Sequence, residues 1–174
     1  MSVLAHEAYD SVLAAEQLTG EELQRLIDRG GRDSGPWLLQ TAHTHKKITD
    51  RVLAELVGDV WSMADRPDRE LTHDEWRLLF DAAGFTIDGQ RTPRPTQPTL
   101  LYRGSVPERR SDWSWTKSVA VARRYAAGNV TGRAPGRLWV CTAPPAHMLT
   151  INTGRGEDEV VIDTRGLTVW EVPS

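Results

Sequence analysis

The sequence predicts an α+β protein, with a helical N-terminal region followed by a split antiparallel sheet. Three observations predict it. Residues 1–90 carry apolar positions at helical spacing, with two capping boxes. Residues 91–98 place three prolines in six positions, which neither a helix nor a central strand accepts. Residues 99–174 break into short apolar pieces with one convincing helix among them, the pattern of strands that pair without crossover helices. The organisation that follows is a helical region over 1–90, a Pro-rich linker over 91–98 and a sheet core over 99–174.

Each element has a local reason. In "AHEAYDSVLAAEQL", Leu4, Ala8, Val12 and Ala15 recur at helical spacing. "TGEELQRLIDRGG" opens with Thr19 and Glu22 as a capping box and closes on Gly30-Gly31. "TAHTHKKITDRVLAELVGDVWSMA" reads as helical, with Ile48, Val52, Leu56 and Val60 on one face. "LTHDEWRLLFDAAGF" repeats the capping box with Thr72 and Glu75 and stops at Gly84. "DGQRTPRPTQP" is a turn and then an extended stretch. The strand-like pieces are "TLLYRG", "WSWT", "GRLWVCTA", "HMLTI", "EVVID" and "LTVWEV". Between them "SVAVARRYAA" is a helix whose Val119, Ala122 and Ala126 share a face.

At 174 residues the chain is one domain, or one domain with a substantial appendage. No apolar run approaches the roughly 18 residues that span a bilayer, so no membrane is expected among its partners. The first ten residues carry acids and no basic segment, unlike a secretory signal. A single cysteine, Cys141, allows no internal disulfide and no cysteine zinc cluster, and a reducing, cytoplasmic setting is the simplest expectation. The overall charge of −3 hides an uneven distribution. Residues 1–90 hold 9 Lys and Arg against 17 Asp and Glu, whereas residues 91–137 hold 10 against 2. Such a basic stretch either meets an anionic partner, a phosphate-bearing ligand or nucleic acid, or packs beside the acidic helices.

Three motifs place polar groups at the ends of apolar strands. "LLYRG" ends in Arg103 and Gly104, "SWT" is Ser114-Trp115-Thr116 followed at once by a helix, and "EDEVVID" runs Glu157-Asp158-Glu159 into a Val-Val-Ile strand. Three adjacent carboxylates repel one another, so their place at a strand mouth asks for a reason. In an extended chain Glu157 and Glu159 point to the same side and Asp158 to the other.

In this order the motifs resemble the arginine–serine–glutamate class of ADP-ribosyltransferases, over roughly residues 98–163. Members carry an Arg on the first core strand, a Ser-Thr-Ser-like segment on the second and a Glu/Gln-x-Glu before a late strand. Here the centre of the second motif is Trp115 instead of Thr, a side chain that alternation turns away from the site. The resemblance implies a split-sheet core of ADP-ribosyltransferase type and transfer of ADP-ribose from NAD to a macromolecular acceptor, with release of nicotinamide. It implies that Glu159 is the catalytic carboxylate and that Glu157 faces the acceptor. Arg103, with a fork suited to phosphate or ribose, Gly104, Ser114, Thr116 and Tyr125 are then the NAD-contacting residues. By themselves, Arg103 equally suits a local salt bridge, Gly104 an ordinary turn, Thr116 a helix cap and Tyr125 core packing. The acceptor expected is a protein side chain such as arginine, ahead of a nucleic acid. A small bacterial or phage effector or toxin is the implied setting. The alternative is a transferase-like fold that catalyses nothing and binds a partner or nucleic acid.

Other signals carry less. His43 and His45 are two apart on a predicted helix and do not face each other, and no metal spacing occurs. "GRGED" lacks the lysine and spacing of a phosphate loop. Alternation within strands predicts Trp139 and Trp170 in the core.

Overall fold

Thr19 and Thr72 start their helices in the manner the capping boxes predict. Each threonine hydroxyl accepts from the backbone N–H three residues on, at 3.3 Å, and Glu22 or Glu75 reaches back to the threonine N–H at 2.8 Å. Such reciprocal caps satisfy two helix-end donors and contribute about 1 kcal/mol each. The computed structural model describes residues 2–130, 132, 134–154 and 158–173. It divides into two compact units, Met1–Thr92 and Pro93–Ser174.

The first unit is helical: α1 (Val3–Ala14), α2 (Gly20–Gly30), α3 (Gly35–Thr44), α4 (Asp50–Met63), α5 (Pro67–Glu70) and α6 (His73–Ala83). α2 and α6 stop where Gly31 and Gly84 take positive φ of 90° and 77°. On α1 Ala8 and Val12 are buried as expected, while at the helix start Ala5 takes the inward place and Leu4 is 52% exposed. The stretch 41–64 is two helices. Lys46 turns left-handed (φ 55°), and Thr49 caps a new start by accepting from Val52 N–H. Ile48 in the break is buried, as are Val52, Leu56 and Val60. The core centres on aromatics. Trp61 meets Trp76 edge-on at 5.0 Å, Trp76 stacks on Phe80 at 5.8 Å, and the Trp76 indole N–H donates to the Pro67 carbonyl. After α6 the chain forms a hairpin, β1 (Thr86–Ile87) and β2 (Gln90–Arg91), around Asp88 and Gly89, both at positive φ.

The second unit is a sheet with one helix. Its strands are β3 (Thr99–Ser105), β4 (Ser114–Thr116), β5 (Arg137–Ala143), β6 (Met148–Asn152), β7 (Glu159–Ile162) and β8 (Trp170–Glu171), with α7 (Val119–Ala126) after β4. They lie in the order β6-β7-β4-β3-β5-β8, with antiparallel pairing throughout. The sheet is continuous where a split is expected. Between β3 and β4, however, just one position is in register, Tyr102↔Thr116. On one face Leu101, Trp115, Trp139, Cys141, Val160 and Ile162 form a buried core; the other face is covered in part, with Thr116, Thr150 and Val161 buried and α7 packed on Gly104. Trp170 is not part of that core. It lies on the short edge strand β8 and is 65% exposed.

Candidate active site

Pairing register defines the other face. Asn152 pairs with Glu159, Glu159 with Thr116, Thr116 with Tyr102, Tyr102 with Val140 and Val140 with Trp170. Paired residues share a face, so one transverse row crosses all six strands over about 24 Å. Glu159 stands in that row at the mouth of β7. Ser114, two residues from Thr116 on β4, shares the face at roughly 7–8 Å diagonal backbone spacing from Glu159. The three motif strands β3, β4 and β7 are immediate neighbours.

Glu159 is half-buried, and its Oε2 accepts from the Asn152 amide at 3.2 Å. The carboxylate therefore has a fixed neighbour on the adjacent strand. Thr116 is buried, and its hydroxyl accepts from the Ser118 N–H at 3.1 Å. The cap of α7 is Ser118, whose hydroxyl accepts from Val121 N–H at 3.3 Å, so the capping role considered for Thr116 belongs to its neighbour. Thr116 instead tightens the turn that leads β4 into α7.

Arg103 occupies a different place from the one expected. Alternation along β3 turns it from the Glu159 row to the face of its partner Trp139. Its Nε donates to the Arg109 carbonyl at 2.9 Å, one Nη to the Ser114 carbonyl and the other to Asp112 Oδ2 at 2.9 Å. Only 11% of its side chain is exposed. Asp112 also takes Arg109 Nε at 2.6 Å, and its carbonyl accepts from the Trp115 indole at 2.8 Å. Arg103 is thus the local salt bridge and loop clamp among the two roles the sequence leaves open.

Gly104 is also put to another use. A Cβ there would fall on the Ala122 carbonyl, the Ala126 amide nitrogen and Tyr125 Cβ, so the bare Cα makes room for α7. The close approach is made by a helix, and Tyr125 is part of that packing. Asp158 has φ 45°, so the chain is not extended there and strict alternation does not carry from residue 157 to 159. Glu157 itself lies outside the described residues.

Asn152 is the site residue that sequence reasoning misses. No motif marks it, because it reaches Glu159 only through strand register. Among the described residues, no three or more His, Cys, Asp or Glu are grouped to hold a metal ion, and no helix is long and apolar enough to cross a membrane. Comparison with known protein families, curated proteins and solved structures finds no match for this chain.

Proposed function

We propose that the second unit transfers ADP-ribose from NAD to a macromolecular acceptor, a protein side chain in the first instance, and releases nicotinamide. The observation that carries this reading is the adjacency of β3, β4 and β7, with Glu159 and Ser114 on the same face of the sheet, one diagonal step apart. NAD supplies the reactive bond between nicotinamide and ribose. That bond's electrons leave with nicotinamide as a neutral molecule, so no general acid is required. Glu159 stabilises the positive charge that develops on the ribose ring and accepts a hydrogen bond from its hydroxyl. Ser114 lines the same face, and the acceptor's nucleophile bonds to the ribose carbon with loss of its proton. Arg103 acts at one remove in this scheme: it holds the segment from Arg109 to Ser114, and hence the entry to β4.

The test is nicotinamide release from NAD by the full chain. Glu159→Gln keeps shape and removes charge, so release is expected to fall about 10²–10³-fold with the fold intact. Unchanged release in that variant would remove Glu159 from the chemistry.

A second reading, a nucleic-acid-binding module, draws on one specific observation: Trp170 is exposed in a unit that also exposes Lys117, Arg123 and Arg124. Its mark is an affinity for single-stranded nucleic acid that falls steeply with salt.

A further inference from the structure

We propose that Asn152 is a positioning residue that fixes the Glu159 carboxylate in its working orientation, a role that rests on the ADP-ribosyl-transfer reading above. The argument begins with register. Met148 pairs with Ile162, but Thr150 pairs with Val161, so two steps along β6 match one step along β7. Without that shift Ile151 would stand opposite Glu159, and an aliphatic side chain would face the carboxylate. With it Asn152 takes the position, and Ile151 turns to Val160. Irregularities of this kind re-aim side chains beside functional sites.

The amide is also oriented. Asn152 Nδ2 donates to Glu159 Oε2 at 3.2 Å, while its Oδ1 accepts from the Thr150 hydroxyl at 3.5 Å. Thr150 is fully buried, so this anchor is set by the core. The donors run in one direction, from Thr150 to Asn152 to Glu159. A carboxylate held this way has lost rotamer freedom before any substrate arrives, which is what charge stabilisation at a reacting centre requires.

Two readouts test the proposal. Asn152→Leu removes the donor at similar size. It is expected to lower kcat for nicotinamide release about 10–100-fold while KM for NAD moves less than about threefold. Asn152→Asp sets one carboxylate against another and is expected to lose at least as much. Independently of turnover, the Asn152 side-chain amide resonances, assigned by their loss in Asn152→Leu, are expected to shift in Glu159→Ala. A kcat for Asn152→Leu within twofold of wild type overturns the proposal, as do amide resonances unmoved by Glu159→Ala. If the wild-type chain releases no nicotinamide, the transfer reading fails and the positioning role falls with it, while the amide resonances still report whether the Asn152–Glu159 bond exists. If both Asn152 variants fail to fold, the Glu159→Ala spectrum decides alone.

Discussion

Replacing Arg103 by alanine separates a structural clamp from a ligand grip. The guanidinium donates hydrogen bonds to the Arg109 carbonyl, the Ser114 carbonyl and Asp112. Hydrogen bonds to charged groups contribute about 1.5–3 kcal/mol each, so simple addition of these three gives roughly 4.5–9 kcal/mol. Two features reduce it. Arg109 stays on Asp112, so that carboxylate keeps a cation, and the partly exposed segment can let water reach the freed carbonyls. Breaking a buried pair costs about 3–5 kcal/mol, and the low end, about 3 kcal/mol, is the expected loss for the second unit. Cys141 provides the assay. It is the chain's single cysteine, it lies buried in β5, and burial pushes its thiol up to about 12. Labelling of that thiol across a urea series reports unfolding of this unit alone. Arg103→Lys keeps charge without the planar fork and is expected to recover less than half the loss. The clamp is refuted if Arg103→Ala unfolds within about 0.5 kcal/mol of wild type while its NAD affinity drops tenfold or more.

Further outcomes follow from other residues. Gly104→Ala sets a methyl against the backbone of Ala122 and Ala126, which cannot yield, so α7 must shift. The expected cost is about 2 kcal/mol and a melting temperature roughly 10 °C lower, and an unchanged melt would contradict the close approach. The Glu75 carboxyl is held below its usual range by the Gln40 amide first and then by Thr72. A depressed folded value gives stability that is present above the unfolded carboxylate value near 4.3 and lost as pH falls through the folded one. Gln40→Ala should therefore move acid unfolding of the helical unit to higher pH, seen by circular dichroism between about pH 6 and 2; an unmoved profile counts against that bond. In the native wild-type protein at pH 8, Cys141 should resist iodoacetamide for as long as the sheet stays folded.

What could be read from the sequence was local. The capping boxes at Thr19 and Thr72 need only residues three apart, and they are present as expected. The motif strands β3, β4 and β7 follow from short apolar runs. Sequence did not disclose what depends on partners across the sheet. Alternation says that Trp139 and Trp170 point to definite faces, but not that Val140 pairs Trp170 on the face opposite Trp139. Likewise the order of LLYRG, SWT and EVVI does not reveal that Arg103 and Glu159 take opposite faces, because that parity comes from Tyr102↔Thr116. Alternation makes Asp158 extended because nothing local forbids it, yet its φ is 45°, and Asp tolerates left-handed backbone better than most residues. The β1–β2 hairpin did have a signal, since Asp-Gly is a two-residue turn that brings flanking residues into pairing. Asn152 had none: its place depends on the register shift between Met148 and Thr150.

The junction of β3 with β4 has a mechanical consequence. A ladder with many rungs resists a wedge, because each must be torn before the next. Here one registered rung, Tyr102↔Thr116, is reinforced by the Arg103 guanidinium on the Ser114 carbonyl and by α7, which follows β4 and packs on Gly104 of β3. Load across this seam therefore concentrates on few groups, and Arg103 carries a share that a longer ladder would spread over many rungs.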